Sequence, residues 1–176
     1  MEQEVSEAPG GSRRHGLMQG ILLVVITAVW VVLDQVTKGC MAALPEGGYG
    51  GSILGGLIEF RIVHNTGAAW GIFAGNPTAL AGFSLVVCCL LLVYFILSAK
   101  TINTVQTVGI ALVVAGGIGN AIDRFVQGYV IDFFAATFID FPVFNVADIG
   151  VTCGVVILLA GFALSWYREA KAKDSR

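Results

Sequence analysis

The sequence predicts an all-α membrane protein: four transmembrane helices, with a small extracytoplasmic β-sheet between helices 1 and 2. Three observations predict it. Of the 176 residues 56% are hydrophobic and only 12% charged, with a mean hydropathy of +0.83; an ordinary soluble domain is about 25% charged. Four apolar runs can each cross a hydrocarbon core of about 30 Å at about 1.5 Å per residue. Between the first two runs lies a glycine-rich stretch with the alternation of a half-exposed strand.

Residues 1–16 are polar, with Pro9, Gly10 and Gly11 ahead of Arg13 and Arg14, and are expected to form a disordered cytoplasmic tail. The first run, Leu17–Leu33, continues through Asp34-Gln35-Val36-Thr37-Lys38. It is too long for the apolar segment of a cleavable signal peptide, and no small-x-small site ends it, so it reads as an uncleaved anchor. The outer segment, about 39–77, holds Gly47, Gly48, Gly50, Gly51, Gly55 and Gly56. Within it Ile58–His64 alternates apolar and polar, and Ile53–Leu54, just before a glycine pair, is placed to pair with it as a hairpin. Residues 65–71 then turn back towards the bilayer, with Trp70 and Phe73 suited to its interface. The second run spans 79–99 behind Asn76-Pro77, the third 105–122 and the fourth 146–166, leaving 169–176 as a cytoplasmic tail.

Four spans put both termini on one side. That side holds Arg13, Arg14, Lys100, Arg168, Lys171, Lys173 and Arg176, and the other Lys38, Arg61 and Arg124, so both termini are expected in the cytoplasm. A net charge of −2, with no stripe of Lys and Arg, speaks against a nucleic-acid partner. Cys40, Cys88, Cys89 and Cys153 form no CxxC and read as small apolar packing residues, not as a disulfide or metal set.

Residues 116–150 hold four of the twelve acidic residues, Asp123, Asp132, Asp140 and Asp148, beside Arg124. Carboxylates near hydrocarbon are costly unless paired, hydrated or protonated. Asp34, Asp123, Asp132 and Asp148 all fall at the outer ends of spans or in the outer loop. The span interiors are apolar, which speaks against a proton-linked carrier with acids at mid-depth. Each polar group also has a structural reading. Asp34 and Lys38 stand at i and i+4, an ion pair in the favourable order. Asn120, Asp123 and Arg124 share one helical face and can terminate span three. Asn145 and Asp148 have capping-box spacing, with Phe144 and Ile149 at the positions of a hydrophobic staple. Asp140, beside Pro142, reads as solvated. The functional reading pairs Asp132, expected in a loop, with Asp148, in the first turn of span four. Two carboxyls brought together cannot both ionise easily, so their acidities separate, as an aspartic protease requires. Ala111, Ala115 and Gly119 on span three, and Gly150 and Gly154 on span four, supply small-residue faces for close helix packing.

At this point the chain resembles the lipoprotein signal peptidases, or signal peptidase II, over about Leu17–Trp166. Four ordered motifs carry the resemblance: Asp34-Gln-Val-Thr-Lys38, Asn65-Thr-Gly-Ala-Ala-Trp70, Gly116-Gly-Ile-Gly-Asn-Ala-Ile-Asp-Arg124, and Val130-Ile-Asp-Phe133 with Phe144-Asn-Val-Ala-Asp148. Trp70 stands where Phe is more usual. The resemblance implies a four-helix transmembrane peptidase domain over 17–168 in the bacterial inner membrane. It implies an aspartic endopeptidase that cuts a prolipoprotein just before its diacylglyceryl-modified cysteine. Asp132 and Asp148 match the catalytic pair. Asn65, Asn120, Arg124 and Asn145 match residues that line or support the site, and Asp34 and Lys38 a motif near it. Asp123 matches a position outside the pair. No metal or cofactor is implied, the partners are the lipid-modified substrate and membrane lipids, and a monomer is expected. A carrier and a non-enzymatic binding or assembly subunit are the competing readings, the second requiring Asp132→Asn and Asp148→Asn to be tolerated.

Overall fold

A computed structural model describes residues 9–67 and 75–174; Trp70 and Phe73 lie outside the described residues. Among the described residues four helices are long and apolar enough to cross a membrane: α1 (Pro9–Met41), α2 (Pro77–Ser98), α3 (Thr104–Gln127) and α4 (Val146–Asp174). A three-stranded antiparallel sheet in the order β1 (Tyr49–Ile53), β2 (Ile58–Asn65), β3 (Val130–Ala136) sits at one end of the bundle.

The expected helices are present, but three run further than their apolar stretches. α1 begins at Pro9, so residues 9–16 are helical where a disordered tail was expected. His15 Nε2 donates to the Ile102 carbonyl at 2.9 Å, which ties this extra turn to the α2–α3 connection. α3 continues past Ile122 to Gln127 and stops at Gly128, whose φ of 81° is the left-handed cap that glycine accepts without strain. The polar group at 120–124 therefore lies within the helix and does not end it. α4 runs on through the expected tail to Asp174. In α4 the extension is rich in Glu, Ala and Lys, good helix formers, so helical hydrogen bonding continues where hydrophobicity stops.

α3 is the central helix. It packs against α1, α2 and α4, and most of its length is buried, including a core of Ile110, Ala111 and Val114 with Leu23 and Cys88. Small residues permit these approaches. A Cβ on Gly109 would meet Leu158 N at 2.6 Å and Gly154 O at 2.8 Å, so α3 and α4 touch backbone to backbone. The Ala111–Ala115–Gly119 stripe turns elsewhere: Thr27 of α1 donates to Ala111 O, and a Cβ on Gly119 would meet Asp34 Oδ2 at 2.6 Å. Gly150 likewise faces α1, at Trp30. The surface of α3 that meets α4 is thus built on Gly109, Val113 and Gly116. All four cysteines are free: Cys88 is buried in the core, and Cys40, Cys89 and Cys153 are exposed on the surface of the bundle.

The sheet differs from expectation in one respect that matters for function. β1 and β2 form the anticipated hairpin, joined by the 3₁₀ turn Leu54–Gly56. The third strand comes from the α3–α4 connection, where only a loop was expected. In its register Val63 pairs with Asp132 and Asn65 with Val130, so the connection is stitched to the outer segment. Ile62, Ile131, Phe133 and Val146 form a second core beneath it.

Gly109→Ala should lower the thermal midpoint in detergent, reflecting an overpacking cost of about 1–3 kcal/mol. Gly82→Ala, whose added Cβ meets nothing within 4 Å, should leave the midpoint unchanged or raise it slightly.

Candidate active site

The site grows from one buried ion cluster. Asp34 is fully buried and Lys38 nearly so. Lys38 Nζ lies 2.8 Å from Asp34 Oδ2 and 3.1 Å from Asp123 Oδ2. One ammonium serves two carboxylates, so the remaining lone pairs need other donors. Gln35 Nε2 supplies Asp34 Oδ2 and Asp123 Oδ1, each at 3.1 Å. Backbone N–H groups supply the rest: Ala147 donates to Asp34 Oδ1 (2.8 Å) and Ile131 to Asp123 Oδ2 (3.3 Å). The cluster therefore joins α1 and α3 to the first turn of α4 and to β3.

Lys38 also orients the next layer. Its ammonium only donates, so the Asn120 oxygen must face it, at 3.0 Å. The Asn120 amide nitrogen is then turned outward and donates to Asp148 Oδ1 at 2.8 Å. Asn145 is fixed by similar logic. Asp148 N–H donates to Asn145 Oδ1 (3.0 Å) and Asn145 N–H returns to Asp148 Oδ2 (3.1 Å), the reciprocal cap that the spacing suggested. The Asn145 amide nitrogen then points at Asp132 Oδ1 (2.7 Å) and Asn120 Oδ1 (3.1 Å). Asn65 Nδ2 donates to Asp132 Oδ2 at 2.8 Å, while its own oxygen is held by Gly67 N–H at 2.9 Å. Each oxygen of Asp132 and of Asp148 thus receives one oriented donor, and Asn145 touches both residues.

Asp132 is 2% exposed. Burial, reinforced by the negative charge of Asp148, pushes its pKa up to about 7; the Asn65 and Asn145 hydrogen bonds and the Lys38 charge oppose the rise. A carboxyl so placed can hold or release a proton near neutral pH, with a second carboxyl nearby.

Both carboxyls open on a cavity of about 520 Å³ between α2, α3, α4 and the 141–144 segment. Its polar wall is Asn65, Asn120, Arg124, Asp132 and Asp148, and its apolar walls include Leu80, Phe141 and Ile149. Gly116 and Gly117 also line it; a Cβ on Gly116 would meet Ala147 and Val151 of α4, and one on Gly117 would meet Cys88 of α2. Arg124 is held by the Gly67 and Asn120 carbonyls at 2.8 and 3.4 Å.

The structure thus brings together Asp132, Asp148, Asn65, Asn120, Arg124 and Asn145, with Asp34 and Lys38 directly behind them. Asp123 is occupied by Lys38, Gln35 and Ile131, and Asp140 is exposed. Asp132 lies on a strand, correcting the loop expected for it, because β2 offers an edge that pairs with 130–136. Sequence reasoning passed over Gln35, although it stands within the Asp34–Lys38 motif, and over Trp30, one helical turn before Asp34.

Over most of its length the chain is similar to known proteins of one family. Residues 26–164 match the family model described as Signal peptidase (SPase) II. A lipoprotein signal peptidase of Lactiplantibacillus plantarum is 38% identical over 141 residues, covering 80% of this chain and 93% of that protein. Those of Nostoc punctiforme and Staphylococcus haemolyticus are 41% and 34% identical, covering 72% and 88% of this chain and 80% and 95% of theirs. A bacterial membrane enzyme solved by the in meso method at 2.3 Å superposes with a TM-score of 0.68 at 30% identity, covering 81% of this chain and 87% of that one.

Lys38→Met leaves Asp34 and Asp123 buried without their cation, and should destabilise the fold by about 3–5 kcal/mol in denaturant titration. Arg61→Met, which breaks an exposed 3.4 Å pair with Glu59, should cost no more than about 1 kcal/mol.

Proposed function

The chain belongs to the signal peptidase II family, and from that premise we propose that it is an aspartic endopeptidase of prolipoproteins, with Asp132 and Asp148 as its catalytic pair. The observation that carries the reading is the convergence of two carboxyls from different elements on one cavity, each held by oriented amides. The pair binds a water molecule. Ionised Asp148 takes a proton from it as the oxygen attacks the scissile carbonyl, while protonated Asp132 hydrogen-bonds the carbonyl oxygen. The tetrahedral intermediate collapses with transfer of a proton to the leaving nitrogen, giving one carboxyl and one amine terminus. Asn65 and Asn145 hold Asp132, and Asn120 and Asn145 hold Asp148, so little reorganisation accompanies the charge movement.

The substrate is a prolipoprotein cut just before its diacylglyceryl-modified cysteine. The cavity supports this, because its apolar walls suit acyl chains and a helical or extended signal segment while its polar wall faces a peptide bond. The enzyme is placed in the bacterial inner membrane with both termini cytoplasmic. Arg13, Arg14, Lys100, Arg168, Lys171 and Lys173 cluster at the end of the bundle opposite the sheet, which supports that orientation by the positive-inside rule. The cavity then faces the extracytoplasmic interface, where a lipid-anchored cysteine is held. A monomer suffices, since every site residue named comes from one chain.

Asp132→Asn and Asp148→Asn should each abolish cleavage of a diacylglyceryl-modified prolipoprotein, by at least about 10³-fold in kcat, while the protein stays folded. Retained turnover in both would return the chain to a binding role. The unmodified substrate should not be cleaved. In the pH profile of kcat, activity should fall as pH rises through about 7. The raised pKa means that Asp132 holds its proton below that value and loses it above, and both carboxyls are then ionised. A profile that instead rises through neutrality would contradict the assignment of the proton.

A further inference from the structure

α1 grips a single peptide unit at the start of α4. Trp30 Nε1 donates to the Val146 carbonyl at 3.1 Å, and Asp34 Oδ1 accepts from the Ala147 N–H at 2.8 Å. These are the two ends of the same peptide group, and Trp30 and Asp34 are one helical turn apart. The next residue along α4 is Asp148. The contact is built for closeness: a Cβ on Gly150 would overlap the indole nitrogen, with Trp30 Cδ1 only 3.0 Å away. Gly150 therefore keeps the space that lets Trp30 reach past it to a carbonyl one turn earlier. Trp30 also packs against the core of Ile62, Ile131, Phe133 and Val146, which includes the two neighbours of Asp132 on β3.

Neither Trp30 nor Gly150 lines the cavity. Asp148, Ile149, Val151, Thr152 and Cys153 do, so Gly150 marks the opposite face of α4. A helix held only by apolar contacts can rotate about its axis with little penalty. Two hydrogen bonds to one peptide unit remove that freedom at the turn that carries Asp148. The Ala147 N–H is among the orphan donors of a helix start, so its acceptor in α1 is otherwise irreplaceable.

We infer that Trp30 is a positioning residue of the reaction: with Asp34 it clamps the Val146–Ala147 peptide and sets the rotation of α4, which aims Asp148 at Asp132 and the cavity. The inference rests on the proposed catalytic pair. It separates two roles for an α1 tryptophan at this depth, an apolar packing residue and a hydrogen-bonding clamp, by what each does to turnover.

The test measures kcat, KM and thermal midpoint with a diacylglyceryl-modified prolipoprotein for wild type, Trp30→Phe, Gly150→Ala, Leu23→Ala and Asp148→Asn. Trp30→Phe keeps an aromatic ring and removes the N–H donor; Gly150→Ala keeps the indole and pushes it off the carbonyl. Each should lower kcat roughly tenfold with KM changed less than about twofold, because misplacement of a reacting group by an ångström costs up to about 10²-fold while the substrate's walls are untouched. Leu23→Ala, in the core remote from the site, should lower the midpoint and leave kcat unchanged. Combining Trp30→Phe with Gly150→Ala should cost little beyond either alone, since both break one contact. An unchanged kcat in either folded single variant, or a loss confined to KM, overturns the clamp. Asp148→Asn acting like wild type overturns the catalytic pair itself, an outcome separate from failure of the clamp alone.

Discussion

The Asp34–Lys38–Asp123 cluster is the constraint on which the rest depends. A buried ammonium between two carboxylates is tolerable only if every remaining acceptor finds a donor. Here those donors come from α4 (Ala147 N–H), β3 (Ile131 N–H) and α1 itself (Gln35). Satisfying one cation therefore dictates how three separate pieces of chain meet. The cluster contributes position more than net stability, since an apolar replacement of the same volume can be as stable.

From that anchor the orientation of the site follows by hydrogen-bond logic. Lys38 can only donate, so Asn120 must present its oxygen inward and its nitrogen to Asp148. Backbone N–H groups can only donate, so Asn145 and Asn65 must turn their nitrogens to Asp132. Three asparagines serve here because an amide carries a donor and an acceptor a fixed distance apart and does not titrate. They transmit orientation without adding charge to the two carboxyls they hold.

The sheet and the bundle divide the remaining work. β2 supplies Asn65 and the edge that converts the 130–136 segment from a loop into a strand, which gives Asp132 a rigid backbone. The bundle supplies Asp148 from a helix start and, through the glycines of α3, the close helix contacts that border the cavity. The cavity between these walls is lined by one carboxyl from each element.

Much of this is legible in local sequence. Spans were readable because each is a local run of apolar residues, and the Asn145–Asp148 cap because its partners are three residues apart. Local hydrogen bonding leaves its mark in spacing. What the tertiary structure decided depends on distant segments: the pairing of β3 with β2, the contacts of Trp30 and Asp34 with α4 across 116 and 113 residues, and the stripe of α3 that faces each neighbour. The helix ends were also misjudged, since hydropathy reports where a membrane would lie and not where backbone hydrogen bonds stop. Apolar runs and four ordered motifs sufficed for the spans and the family, because both are written in local sequence. Only the folded chain decided that Asp132 is a buried strand residue with a raised pKa, because desolvation is a property of what surrounds a group and not of its neighbours in sequence.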